Sequence, residues 1–326
     1  MTACSGGPAS VVSQPNPGVA PLASATVSLA HIFAPYVYMG QFFPLAQNAT
    51  AVSRFYTLAF VLGANARTCA ATWNGTTPIN AGLEQNDIAN LRAAGGDVII
   101  SFGGYDGYEL AQDCPNAADL EAQYQMAMRQ YGVRSLDFDI EYGPSGALTD
   151  QASIERRNQA LAALQAANPG LQVSYTLPVT VQGLTPEDIF LLDNAVSQHV
   201  HITAVNLMTM DYGYADRQME KDAVHAAQAS LTQMAQLWPG RSQSQLQSML
   251  SITPMIGQNN TPGEVFQPAD ADVVEQFAAA YGINRLSFWS AQRDQQCAGG
   301  VNANVQDDCS GILQPPDQFA SIFQAF

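Results

Sequence analysis

Eight short apolar runs, most of them separated by stretches with helical patterning, limit the fold more than any other feature of this chain. They are His31–Tyr38, Tyr56–Leu62, Asp97–Ser101, Ser135–Glu141, Leu171–Leu177, Ile202–Met208, Met249–Pro254 and Arg285–Trp289. Between them Leu83–Ala94, Ala118–Tyr131, Ile154–Ala167, Pro186–Gln198, Ala223–Trp238 and Asp270–Tyr281 carry apolar residues at helical spacing and end in Gly, Asn-Pro-Gly or Pro-Gly signals. Strand then helix, repeated, is the pattern of a parallel sheet covered by helices. Eight repeats predict an α/β chain closed into a (β/α)8 TIM barrel. A length of 326 residues suits one such barrel, and a hydrophobic fraction of 47% supplies its core.

The fourth run carries the chemistry. Ser-Leu-Asp-Phe-Asp-Ile-Glu-Tyr over 135–142 puts Asp137, Asp139 and Glu141 at alternate positions, with Leu136, Phe138 and Ile140 between them. Side chains alternate across a strand, so the three acids share one face, about 7 Å apart along it. Carboxylates that close in a partly buried site cannot all ionise, and at least one proton is expected to stay on them. Such a strand suits acid catalysis. It could also be a solvated edge, or hold a divalent cation through oxygen ligands.

In barrels of this kind reactive groups sit at the C-terminal ends of strands. Ser101-Phe102-Gly103-Gly104 ends the third run, Glu141 the fourth, Met210-Asp211-Tyr212 the sixth, Gln258-Asn259 the seventh and Trp289 the eighth. Their joint placement on one rim points to a site there.

Charge and cysteines narrow the partners. Twelve Lys and Arg, with Lys221 the only Lys, face 28 Asp and Glu; the net charge of −16 argues against nucleic acid and anionic membranes. The substrate is expected to be neutral or cationic. No apolar stretch reaches the ~18 residues of a bilayer span. None of the five cysteines forms a C-x-x-C pair, and His31, His199, His201 and His225 do not cluster with them, so structural zinc is not expected. Cys297 and Cys309 bracket a polar loop, and Cys69 and Cys114 each follow a strand; two disulfides then leave Cys4 over and place the chain in an oxidising compartment. Met-Thr-Ala-Cys before Ser-Gly-Gly-Pro resembles the end of a bacterial lipoprotein signal, although no charged and apolar segment precedes it. Residues 1–27, rich in Pro, Gly, Ser and Ala, are expected to be a flexible tether ahead of one catalytic domain over 28–326.

Taken together, the chain resembles the family 18 glycoside hydrolases, the chitinase family, from about residue 28 to the end. Arg134 to Glu141 matches three acids of the family's D-x-x-D-x-D-x-E signature, with Arg134 in place of the first Asp. Ser101-Phe102-Gly103-Gly104 matches S-x-G-G on the third strand. Met208-Thr209-Met210-Asp211 matches Met-x-Tyr-Asp in part, with Met210 where the family has a Tyr that clamps the substrate's acetamido group; Tyr212 is adjacent. Thr253 to Gly257 and Leu286 to Ser290 also resemble a bacterial branch, with Trp289 as the aromatic floor under the sugar.

The resemblance implies a chitinase that retains anomeric configuration with help from its substrate, outside the usual two-carboxylate scheme. Glu141 would protonate the glycosidic oxygen while the substrate's N-acetyl carbonyl attacks the anomeric carbon. Asp139 would orient the acetamide, and Asp137 would exchange a proton with Asp139. Tyr105, Asp106, Asp211, Tyr212, Met208, Gln258, Asn259, Ser101, Gly103 and Gly104 are expected around the sugar, with Trp289, Tyr36 and Trp73 as stacking faces and Trp238 in the core. The substrate would be chitin or chito-oligosaccharides, with no cofactor, no metal and no protein partner, and the enzyme a secreted or cell-surface monomer.

Only about 30 residues separate Met255 from Leu286, enough for a loop, a helix and a turn. No α+β module is therefore expected between the seventh and eighth strands, and the groove should be open and suited to endo cleavage. No carbohydrate-binding module is visible. Three other functions stay open: an endo-β-N-acetylglucosaminidase on glycoprotein glycans, a non-catalytic sugar-binding relative, which the intact Glu141 disfavours, and a metal-dependent hydrolase.

Overall fold

The computed structural model describes residues 31–65, 67–215 and 218–326. The tether and Cys4 lie outside the described residues. Eight parallel strands close a barrel. The first is broken into Ile32–Phe33 and Tyr36–Tyr38; the others are Phe55–Ala64, Asp97–Gly103, Ser135–Asp139, Gln172–Thr180, Ile202–Met208, Leu250–Thr253 and Arg285–Leu286. Ile32–Phe33 pairs with the eighth strand and Tyr36–Tyr38 with the second, which completes the circle.

Register places the site. Asp137 lies opposite Ser101 on the third strand and Ser174 on the fifth, and Asp139 opposite Gly103 and Thr176. The acids therefore occupy successive inward layers. The alternate residues point outward: Phe138 stacks on Phe102 at 5.3 Å and meets Tyr124 of the helix Ala117–Tyr131 edge-on at 5.1 Å. Burying each such ring is worth about 2 kcal/mol, which pins the register, because a slip of one residue would turn the acids toward the helices.

The helices Gln85–Ala93, Ala117–Tyr131, Gln151–Ala167, Pro186–Ser197, Met219–Leu237 and Pro268–Tyr281 cover the barrel. Local signals fix their ends: Asn116, Asp150 and Thr185 accept N-terminal amides, and Gly132 and Gly282 close helices in the left-handed region. Between the seventh and eighth strands lie the short hairpin Gly257–Gln258/Val265–Phe266 and one helix, with no further module.

One addition was not expected. Thr68–Trp73 runs antiparallel to the upper half of the second strand and is tied by the Cys69–Cys114 disulfide to the end of the short helix Leu110–Asp113. A second disulfide, Cys297–Cys309, closes the loop after the eighth strand. Trp73 is a core residue rather than a sugar platform: it is buried, and its Nε1 donates to Tyr131 Oη at 2.7 Å. Trp238 is half-buried against the core.

Candidate active site

A cleft of about 820 Å³ opens at the C-terminal ends of the strands, with Asp139 and Glu141 among the residues lining it. Tyr36, Tyr105, Asp106, Met208, Asp211 and Trp289 line it too. A hollow of about 880 Å³ between the outer faces of helices, around Gln85 and Arg129, contains none of these groups.

The cleft's acids differ in environment. Asp137 is fully buried beneath the floor, Asp139 is 5% exposed, and Glu141 is partly open to the cleft. Burial pushes the Asp139 carboxyl well above the usual range, and the negative charges of Glu141 and Asp137 add to it. Burial also pushes Glu141 up to about 7; a hydrogen bond from Asp139 pulls the other way, and Asp211 and Asp106 push it further up. The pair therefore holds a proton near neutral pH, with Asp139 as its donor. Asp139 Oδ1 is buried without a hydrogen-bond partner.

Several expected binders prove to be supports. Ser101 is buried and donates to Asp137 Oδ2 at 2.8 Å instead of facing the cleft. Gly103, at φ 102°, leaves room for the fourth strand, because a Cβ there would lie 2.0 Å from the Asp139 carbonyl oxygen. Gly104 donates its N–H to that oxygen at 2.9 Å, and a Cβ on it would strike the Phe60 ring. Tyr36 both lines the cleft and donates to Asp137 Oδ2 at 2.9 Å.

Other expected binders lie outside the cleft lining. Asn259 is buried, and its amide donates to the carbonyls of Met255 and Gly257, which shapes the loop. Gln258 sits in the small hairpin, its carbonyl engaged by Arg293. From this loop Asn260, Thr261 and Pro262 reach the cleft; Asn260 donates to Asp211 Oδ2 at 2.8 Å, and Thr261 N–H binds Asp211 Oδ1 at 2.7 Å. Asp211 stands at φ 52°, a conformation that Asp tolerates better than most residues. Tyr212 lies outside the cleft lining: it packs against the core and stacks on Tyr214, ring centroids 6.4 Å apart, whereas Met210 lines the cleft.

Sequence reasoning missed Phe60, Tyr142 and Met255 in the lining. Phe60 stacks on Trp289, ring centroids 5.4 Å apart and planes within 11°, and Tyr36 leans on Trp289 at 6.1 Å. Together they form an aromatic surface in the cleft lining. A flat aromatic surface beside a protonated carboxyl matches a pyranose ring with a bond to be protonated. Arg134, at the signature's altered position, is exposed at the start of the fourth strand, away from the cleft.

A barrel with a protonated carboxyl pair and an aromatic wall at its strand ends defines the class of the glycoside-cleaving barrels. Residues 27–263 match the model of glycosyl hydrolases family 18, and the chain belongs to that family. It is 35% identical over 317 residues to a probable bifunctional chitinase/lysozyme of Escherichia coli, covering 91% of this chain and 34% of that one. It is 36% identical over 286 residues to endochitinase 11 of Metarhizium anisopliae, covering 82% and 53%. The chain thus spans from a third to about half the length of these relatives. Among solved structures it is similar to active domain 2 of a thermostable chitinase from Pyrococcus furiosus complexed with chito-oligosaccharides, with a TM-score of 0.83, 29% identity, and 93% and 96% of the two chains covered.

Proposed function

We propose that this protein is a chitinase hydrolysing β-1,4-linked N-acetylglucosamine chains with retention, and that Glu141 is its acid and base. The observation that carries this is the pair itself: Glu141, held up to about 7, beside a more deeply buried Asp139 that keeps its proton. Glu141 protonates the glycosidic oxygen as that bond to C1 breaks. The acetamido oxygen of the same sugar bonds to C1 and gives an oxazolinium ion. Water then adds at C1 as the bond from C1 to the acetamido oxygen breaks, the acetamide is restored, and the water's proton passes to Glu141. Asp139 orients the acetamide N–H and faces the developing positive charge. Trp289 supports the sugar at the point of cleavage, and Asp211, Tyr105 and Asp106 meet neighbouring hydroxyl and acetamido groups.

The short link between the seventh and eighth strands leaves the cleft without an extra wall there. Endo cleavage follows, with mixed oligomers as early products; release of dimers alone from long soluble oligomers would contradict it. The chain works as a monomer without cofactor, its domain spanning 28–326 behind the tether. The disulfides suit an extracellular setting, with Cys4 a candidate for lipid attachment.

The test is hydrolysis of a chito-oligosaccharide series set against a high-mannose glycopeptide, with a thiazoline analogue of the cyclic intermediate as inhibitor. Cleavage of the oligomers with competitive inhibition supports the reading. Glycopeptide cleavage alone would make the enzyme an endo-β-N-acetylglucosaminidase, and loss of activity in chelator would favour metal chemistry.

A further inference from the structure

Arg157, on the helix Gln151–Ala167, is fully buried, and its Nη2 donates to Oε2 of the equally buried Glu109 at 2.8 Å. Its Nε and Nη1 have no hydrogen-bond partner among the described residues. A buried ion pair repays its desolvation only when its remaining donors are satisfied, so this one is a poor source of stability. What it supplies is a fixed point. Glu109 Oε2 also accepts from Ala111 N–H at 2.8 Å and caps the short helix Leu110–Asp113; Tyr124 Oη makes a long bond of 3.5 Å to Oε1. Arg156, next to Arg157, donates to the Ala111 carbonyl, and Gln112 Nε2 donates to the Ser145 carbonyl at 2.9 Å. Immediately before Glu109, the segment from Gly104 to Tyr108 carries Tyr105 and Asp106 into the cleft lining. Its start is held by Gly104 N–H on the Asp139 carbonyl at 2.9 Å, and Gly63 N–H donates to the Tyr108 carbonyl at 3.0 Å. Gly143, just after Glu141 and Tyr142, lies against it: a Cβ there would stand 2.3 Å from the Tyr105 carbonyl oxygen. Tyr105 is 59% exposed and Asp106 is exposed too, so the backbone beneath them sets their direction rather than side-chain packing.

We propose that Arg157 is a positioning residue: by pairing with Glu109 it fixes the end of the Gly104–Glu109 segment, so that Tyr105 and Asp106 stay directed into the cleft where they bind sugar. The proposal rests on the reading of the cleft as the site of a chito-oligosaccharide. Without the guanidinium, Glu109 becomes a buried anion with no counterion. The carboxylate relieves this by swinging toward water, which releases the Ala111 N–H and draws Tyr105 to Tyr108 with it. Asp139 and Glu141 stand on the fourth strand and just after it, and that strand's register is set separately by pairing with the third and fifth strands. The loss therefore falls on sugar binding and spares the bond-breaking step.

The experiment measures kcat and KM of Arg157→Met and Arg157→Lys on a soluble chito-oligosaccharide, each alone and combined with Tyr105→Ala, together with amide hydrogen exchange along the chain. The Met variant should raise KM about fivefold with kcat near the wild type, and Lys, which keeps a cation beside Glu109, should bring most of that back. Tyr105→Ala should raise KM by itself but add little to Arg157→Met, because the ring is already displaced. Exchange should quicken in peptides covering Gly104–Cys114 and stay as in the wild type in the barrel strands. Should the Met variant not fold, Arg157→Met/Glu109→Gln, which leaves no buried charge, should give a smaller rise in KM with the same non-additivity. Failure of both to fold would overturn the proposal, since the pair would then hold the whole fold and not one segment. Unchanged KM and local exchange with only thermal stability lowered, or losses that add to those of Tyr105→Ala, would overturn it as well. A wild type inactive on chito-oligosaccharides would instead sink the chitinase reading, while the exchange comparison would still decide whether Arg157 fixes the segment.

Discussion

At the scale of residues, one proton sets the behaviour of the site. Glu141→Gln keeps shape and removes the donor, so turnover should fall about a thousandfold while oligosaccharide affinity stays near that of the wild type; kcat and calorimetric binding measure the two. Asp139→Asn keeps an amide beside Glu141 but cannot share its proton, and a loss of about a hundredfold is expected. The pH dependence follows from direction. Glu141 must be protonated to act and is held up to about 7, so kcat should fall as pH rises through that value. Asp106 is exposed and contributes to that upward shift. Asp106→Asn should therefore move the alkaline limb down by a few tenths of a pH unit, less in high salt because an exposed charge is screened. An upward move would mean that Asp106 acts on the site by something other than its charge.

At the scale of elements, the third and fourth strands hold the geometry. Gly103→Ala would set a methyl 2.0 Å from the Asp139 carbonyl oxygen, which backbone cannot yield without moving the catalytic strand. Gly95 is also at positive φ, but a Cβ there meets nothing within 4 Å. Gly95→Ala should cost about 1 kcal/mol by denaturation, and Gly103→Ala several times that together with most activity. The strands were legible in the sequence because alternation and apolar runs follow from being buried between barrel interior and helices. The hairpin strand Thr68–Trp73 was not: it has no such run and is held by pairing to the second strand and by a disulfide. Asn260 was missed in favour of Gln258 and Asn259 because side chains in a tight loop keep no period; only the Asn259 hydrogen bonds to Met255 and Gly257 fix which neighbour faces the cleft. Ser101, Gly103 and Gly104 were found by motif but their work was hidden, since a motif records which residues recur and not whether they touch the ligand or its support. Arg157 read as one position of a helix, and its meaning depends on Glu109, 48 residues earlier.

At the scale of the whole molecule, acids dominate both the surface and the interior. The net charge of −16 repels itself, and acidification relieves that. Buried acids act in the same direction. Burial holds Glu141 and Asp188 up to about 7 and Asp294 up to about 6, against the ordinary carboxyl values near 4 that the unfolded chain adopts. Between those limits the folded state binds more protons than the unfolded one. Each group's stabilisation is complete below the unfolded value and is lost as pH rises through its folded value, at up to about 1.4 kcal/mol per pH unit. Thermal unfolding should thus occur higher at pH ~5 than at pH ~8, by on the order of 5–10 °C. Asp188→Asn should flatten the slope, since its carboxyl is buried in the cap of the helix Pro186–Ser197 and an amide there does not titrate. The disulfides set a separate, pH-independent part: their loops span 45 and 12 residues, worth about 4 and 3 kcal/mol by loop entropy, and reduction should lower both melting curves together. A melting temperature that instead fell steadily from pH ~8 to ~5 would mean that the folded state prefers these acids ionised, and the proton assigned to the Asp139–Glu141 pair would lose its physical basis along with them.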